Sequence, residues 1–459
     1  MKKVCIQGLG FVGSAMATAV ALARDKNGKL IYDVVGVDLP NKTGQGRVES
    51  INNGEFPFHI SDKKLISAVS EAHNNANLRA STDQNEFSNA DIVVVDVHLD
   101  IPYLENEPQL TYTGFIDAIR SIGQKVSPET LIIIETTVPP GTCEKVVVPT
   151  LHFELEKRQI DPETIYVAHS YERVMPGDSY LDSIVNYWRV FAGFNKKSGN
   201  LCEDFLKNVV NADKFPLTRL SSMLASETAK VMENTFRATN IAFIDEWTKY
   251  AEAVGIDLFD VIDAIKVRPS HSNIRFPGLG VGGYCLTKDP TFAPAATKQL
   301  FNTSIDFPFS KLTVKVNHNM PLHTVQRLIT LLGFQLENMR ILVCGVSYRQ
   351  DIGDSRFSPS EILVRELLKE GANVSCHDPY LTYWDEMQTN ILTELPSPAD
   401  YDAVIMAVSH RQYRELVLSD WAEGAELILD ANSVFTKKQR ALARMKGVRV
   451  ESIGRGDGL

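Results

Sequence analysis

None of the six cysteines, Cys5, Cys143, Cys202, Cys285, Cys344 and Cys376, forms a C-x-x-C pair or stands at zinc-ligand spacing. Neither a disulfide framework nor a metal site is read from them, and a reduced, cytoplasmic setting fits best. Long apolar runs are missing too. Leu131-Ile-Ile-Ile134 is far short of the ~20 residues that a membrane span requires. The start, MKKVCIQGLGFVG, goes directly into a strand and a turn, without the apolar core and cleavage site of a signal peptide. Positive charge is also scarce. With 47 Lys and Arg against 57 Asp and Glu, the net charge is −10, which argues against nucleic acid or an anionic membrane as partner. A small anionic substrate stays open, because a local pocket can be basic on an acidic protein. What is present is 459 residues, 44% hydrophobic and 23% charged, too long for one ordinary domain.

Val4-Cys-Ile-Gln7 is a short apolar run that ends in glycines and leads into the alanine-rich Ser14–Ala23. It reads as strand, tight turn, helix. Val34–Val37, closing at Asp38, then Ile92–Val95, Leu131–Ile134 and Ile165–Ala168 read as further buried strands. Alternating with helical stretches, they predict a parallel, doubly wound sheet over residues 1–211. From about 222 to Val254 there is no Pro or Gly, which predicts one helix some ~50 Å long at 1.5 Å per residue. Further helices are expected at 257–265 and after Pro321. Arg340–Val346, Val374–His377, Ala403–Ala407 and Leu427–Leu429 then predict a second α/β region, though without a second G-x-G-x-x-G. The expected architecture is α/β: two Rossmann-like doubly wound domains, 1–211 and 321–459, bridged by a helical domain, 212–320. Residues 454–459 read as a flexible tail.

Four motifs carry chemistry. Gly8-Leu-Gly-Phe-Val-Gly13 lies between a strand and a helix, where Gly8 permits the turn, Gly10 admits a pyrophosphate and Gly13 allows close packing. Asp38 would take the ribose hydroxyls and disfavour a 2′-phosphate, so NAD is expected; the fingerprint alone also allows FAD or a bare glycine turn. In GLGVGGYCLTKD, residues 278–289, a flexible backbone presents Cys285, with Lys288 and Asp289 beside it. The thiol is a nucleophile only as thiolate, and the bland alternative is a buried cysteine next to a turn. Lys230 and Asn234 share a helix face and could give two donors to a developing oxyanion, or could line a solvated face. After two strands come Glu135-Thr-Thr-Val-Pro-Pro-Gly-Thr142 and His169-Ser-Tyr-Glu-Arg-Val-Met-Pro-Gly177. They offer Thr137 and Glu172 at the carboxyl ends where α/β sheets bind ligands, or they are ordinary turns.

Together, GLGFVG (8–13), TTVPPGT (136–142), YERVMPG (171–177), AKVMENTFRATNIAFIDE (229–246), PGLGVGGYCLTKDP (277–290) and GVSYRQDIGDSRFSPS (345–360) resemble the nucleotide-sugar 6-dehydrogenases, the UDP-glucose/GDP-mannose dehydrogenase family. The resemblance implies oxidation of a sugar C6 alcohol to a carboxylate with two NAD and no release of the aldehyde. It assigns Cys285 as the nucleophile that forms a thiohemiacetal and then a thioester. Lys230 and Asn234 become the oxyanion donors, Thr137 and Asp289 position water, and Glu172 accepts the proton. Gly8, Gly10, Val12, Gly13, Asp38, Thr137, Lys288 and Arg356 fall to the cofactor. Glu172, Lys230, Asn234, Gly282 and Arg349 fall to the substrate, with Arg268 lent by a neighbouring subunit of a homodimer built on the long helix.

The chain departs from the family at three places. Val97–Pro102 replaces a V-P-T-P segment, Pro176 stands where some members have a glutamate, and Arg349 stands for a lysine. Glu233–Arg237 resembles the UDP-N-acetylhexosamine branch, whereas Gly-Gly-Tyr-Cys and Lys288-Asp289 resemble the UDP-glucose branch. The expectation leans to the former. A one-step β-hydroxyacid-type dehydrogenase and a non-enzymatic dinucleotide-binding protein are the competing readings.

Overall fold

The computed structural model describes residues 1–99, 103–104, 107–174, 177–333 and 335–456. Asp100–Pro102 and Pro176, where two of the departures fall, and tail residues 457–459 lie outside them. The chain divides into two compact units, residues 1–233 with 291–306, and residues 234–290 with 307–459. Among the described residues, no helix is long and apolar enough to cross a membrane.

The main sheet of the first unit has eight strands: β1 (Lys2–Gln7), β2 (Tyr32–Val37), β3 (Leu78–Ser81), β4 (Ile92–Val95), β5 (Leu131–Ile134), β6 (Tyr166–Tyr171), β7 (Val190–Gly193) and β8 (Thr218–Arg219). Their order is β8-β7-β6-β5-β4-β1-β2-β3. Only β6 and β7 run antiparallel; the other neighbours are parallel. Successive residues feed opposite faces, as strand geometry requires. Val4, Val34, Val94 and Ile133 enter one core, while Cys5, Val35, Val93, Ile132 and Ile134 enter the other. Both faces are therefore buried, and the strands read as unbroken apolar runs. The order reverses between β1 and β4, so the loops after those strands open onto the crevice where such sheets bind ligands.

In the second unit, β9 (Arg340–Cys344), β10 (Asn373–His377), β11 (Ala403–Met406), β12 (Ile428–Asp430) and β13 (Val450–Ser452) are ordered β10-β9-β11-β12-β13, all parallel. This is the other common doubly wound order. Again Ile341 and Val343 face one core, Leu342 and Cys344 the other.

The long helix spans Met223–Val254. Gly255 ends it at φ +81°, and the Ile256 N–H returns to the Ala251 carbonyl at 3.0 Å, a Schellman-type close. Two expectations are corrected. The helix expected after Pro321 begins at Pro308 and runs to Leu332 with Pro321 inside it. The ring packs where a Cβ on Gly280 would come within 3.3 Å of it, so tertiary packing overrides the breaker. Residues 454–456 are also not a loose tail. Gly454 N–H donates to Glu252 at 2.7 Å and Arg455 to Asp257 at 2.8 Å. The Arg455 guanidinium lies 3.7 Å over the Phe259 ring.

Candidate active site

The dinucleotide loop divides its glycines by role. Gly8 sits at φ +94° with the Asp96 carbonyl 2.6 Å from where a Cβ would be, and a Cβ on Gly13 would lie 1.8 Å from the Gly8 oxygen. The protein's own packing demands both. Gly10 has nothing within 4 Å of its Cβ position, the open backbone that a pyrophosphate needs. The helix Phe11–Ala21 begins there, so the free first-turn N–H groups around Val12 face the same space. Asp38 directly follows β2 and accepts the N–H groups of Leu9 at 3.0 Å and Leu39 at 2.7 Å. Arg47, which the sequence reading passed over, pairs with it at 3.2 Å. These residues fit NAD: a cradle at Gly10, a helix N-terminus for phosphate and a carboxylate for the ribose.

At the end of β5, Thr136 Oγ1 donates to the Val97 carbonyl at 2.8 Å and the Val95 carbonyl at 3.1 Å, fixing the turn that presents the partly exposed Thr137. The Gly141 and Cys143 N–H groups of the same turn donate to the two oxygens of Glu227, at 2.6 and 2.7 Å. Glu227 is wholly buried in the second turn of the long helix. Burial pushes its carboxyl up to about 7, against the lowering effect of those N–H groups. Leaving either N–H unpaired would cost about 1–3 kcal/mol.

One turn further along the helix, the buried Lys230 donates to the Glu172 backbone carbonyl at 2.7 Å and lies 3.4 Å from its carboxylate. Its ammonium is also 5.3 Å from the Tyr171 ring centre. Glu172 additionally accepts from the Val174 N–H. Structure therefore brings together the expected donor and the expected proton acceptor at the carboxyl end of β6. The acid, lysine and Thr137 turn all belong to the first unit.

In the second unit Cys285 is the second residue of the helix Tyr284–Lys288 and is the one exposed cysteine of the six. The other thiols are buried, and burial pushes them up, Cys5 and Cys376 to about 12. The glycines before Cys285 have a reason that the sequence did not reveal. A Cβ on Gly282 would lie 2.8 Å from Pro359 and 2.9 Å from the Phe357 carbonyl. At Gly283, φ is +78° and the Tyr348 ring is 2.6 Å from the Cβ position. The loop is bare because the segment 348–359 packs against it, so its glycines need no ligand to account for them.

Asp289 is fully buried and accepts from Asn234 Nδ2 at 2.7 Å and from Lys288 Nζ at 3.2 Å. A carboxylate only accepts, so this bond fixes which way the Asn234 amide faces and leaves its second N–H for a ligand oxygen. Arg356 forms two bonds to Asp354, at 2.9 and 2.6 Å, and lies 5.7 Å over the Tyr284 ring beside Cys285. Arg349 is half-buried, and Arg268 is exposed ahead of the turn Pro269–His271. Iodoacetamide on the native protein is expected to label one cysteine, Cys285, as read by peptide mass mapping. Equal labelling of a second cysteine would contradict the burial pattern.

Comparison with known proteins places this geometry. Three models of the UDP-glucose/GDP-mannose dehydrogenase family match: the NAD binding domain over residues 2–210, the central domain over 225–319 and the UDP binding domain over 342–439. The UDP-N-acetyl-D-mannosamine dehydrogenase of Methanocaldococcus jannaschii is 30% identical over 462 residues, covering 99% of this chain and 97% of that one. The solved UDP-D-ManNAc dehydrogenase of Pyrococcus horikoshii superposes with a TM-score of 0.82 at 25% identity, covering 99% of this chain and 100% of its own. A UDP-glucose dehydrogenase of Pyrobaculum islandicum gives 0.81 at 25% identity, covering 99% and 98%. With the two doubly wound sheets and the cradle at Gly10, these define an NAD-dependent oxidoreductase. The chain belongs to the UDP-glucose/GDP-mannose dehydrogenase family.

Proposed function

We propose that the protein oxidises the C6 hydroxyl of a UDP-N-acetylhexosamine to the carboxylate, with UDP-N-acetyl-D-mannosamine the first candidate. The observation that carries this reading is the exposure of Cys285 alone among six cysteines, in a loop built to hold it. The sugar follows the name of the Methanocaldococcus jannaschii relative and the likeness of Glu233–Arg237 to that branch. NAD, which the Gly10 cradle and Asp38 would hold, would supply the hydride acceptor for both oxidations.

Cys285 Sγ adds to the C6 aldehyde to give a thiohemiacetal, which keeps the aldehyde from leaving. Its oxidation leaves a thioester, and water cleaves this to the carboxylate and returns the thiol. Lys230 and the second N–H of Asn234 meet the oxygen that gains negative charge at each stage, each contributing ~3–4 kcal/mol. Glu172 takes the proton released from the hydroxyl, and Thr137 and Asp289 order the attacking water. Lys288 and Arg356 serve the cofactor side. Gly282, through its backbone, and Arg349 serve the UDP-sugar. Residues 1–211 act as the cofactor domain, 212–320 as the helical domain and 321–459 as the nucleotide-sugar domain.

Assembly is part of the proposal. Phe236, Phe243, Trp247, Tyr250 and Val254 are exposed at helical spacing along the long helix, a larger apolar stripe than a lone soluble helix carries. A homodimer through this face would cover it and place Arg268 of one subunit to serve the sugar of the other. The acidic, cysteine-reduced composition suits the cytoplasm. The test is NADH formation across a panel of UDP- and GDP-sugars. Turnover is expected to be fastest with UDP-N-acetylhexosamines, and no response to any sugar would remove the reading.

A further inference from the structure

The long helix carries three ionisable side chains at three-residue intervals, Glu227, Lys230 and Glu233, and between them they grip two strand-end loops of the first unit. Glu227 holds the turn after β5 through Gly141 and Cys143. Lys230 meets Glu172 just after β6. Glu233 takes the next residue: Arg173 Nε donates to its carboxylate at 3.1 Å and Nη2 at 3.0 Å. Two further donors of Arg173 reach the loop's surroundings. Nη1 reaches the Trp188 carbonyl at 2.7 Å and Nη2 the Tyr171 hydroxyl at 3.3 Å, while that hydroxyl donates to Glu233 at 3.3 Å. Arg173 thus ties Tyr171, the residue on the other side of Glu172, to the same helix.

We propose that Arg173 and Glu233 are positioning residues, an ion-pair latch that holds the Glu172 loop in register with Lys230, with Glu227 setting the Thr137 turn from the same helix. The proposal deepens the functional reading above and rests on it. Its physical basis is geometric. The pair's side chains are 21% and 35% exposed, so it adds little to stability. Yet, apart from the Arg173 bond to the Trp188 carbonyl, its bonds join the two residues that flank Glu172, Tyr171 and Arg173, to the helix one turn beyond Lys230. An Arg fork on a carboxylate fixes orientation as well as distance, and an error of about 1 Å in a catalytic group can cost 10²-fold.

The test uses the full-length protein, its Arg173→Met and Glu233→Gln variants and the double variant. The readings are kcat and KM with the preferred UDP-sugar and NAD, beside thermal unfolding. Each single change is expected to lower kcat by about ten- to a hundredfold, with KM for NAD unchanged and little change in Tm. The double variant should fall no lower than the worse single, as expected for two halves of one interaction. Full kcat in either single variant, or losses that multiply in the double, would overturn the latch. A crystal structure of Arg173→Met supplies a readout that needs no turnover. Lys230 Nζ is expected to lose its bond to the Glu172 carbonyl, and an unaltered bond would overturn the proposal. A wild-type protein inert to every sugar would instead sink the function, leaving the crystallographic reading to decide the latch.

Discussion

Replacing Cys285 by serine is expected to lower kcat for the complete oxidation by at least ~10³-fold, towards the ~10⁶-fold lost when a nucleophile is removed from an otherwise intact site. The hydroxyl occupies nearly the same volume, so the loop, held by Tyr348, Phe357 and Pro359, should keep its form. What is lost is the thiolate, the only form of the group that attacks well at neutral pH. The five other thiols cannot substitute, since all are buried. Because Sγ forms its bond only after the first oxidation, KM for the sugar and the affinity for NAD should change little. Steady-state assays with a binding titration of NAD check both. A variant that retains turnover within tenfold of the wild type would remove covalent catalysis from the account.

Lys230→Met is expected to lower kcat by about 10²–10³-fold, the loss typical of one donor to a developing oxyanion. Methionine keeps the length and apolar contacts of the lysine stem, so the change isolates the ammonium. Lys230 is 6% exposed and its ammonium is bound to the Glu172 carbonyl, so its field acts where water screens little. Asn234 cannot make good the loss, because one of its N–H groups is committed to Asp289. The split between kcat and KM is diagnostic. A rise in KM with kcat intact would make Lys230 a ground-state binder only.

Much of this was legible because it is local. Strands such as Ile92–Val95 and Leu131–Ile134 are buried on both faces and therefore unbroken in apolar sequence. The glycine fingerprint announces its own turn, and the four-residue spacing of Lys230 and Asn234 survives in a continuous helix. Illegible features depend on partners far along the chain. The 454–456 segment looked loose because Glu252 and Asp257 lie about 200 positions away. Glu227 was not singled out, since its partners, Gly141 and Cys143, are on a distant strand's loop. The glycines before Cys285 were read as a flexible backbone presenting the thiol, whereas the Tyr348 ring and the Phe357 carbonyl already require them. Pro321 was read as a boundary because its packing against the Gly280 loop leaves no mark in the local sequence.

The central claim is that one site carries out two successive oxidations through Cys285 without releasing the aldehyde. It is tested most directly by counting NADH formed per molecule of UDP-sugar consumed, with an aldehyde trap such as semicarbazide present. Two NADH per sugar, with the uronic acid as product and no trapped aldehyde, is the predicted result. One NADH per sugar would contradict it and favour a one-step dehydrogenase.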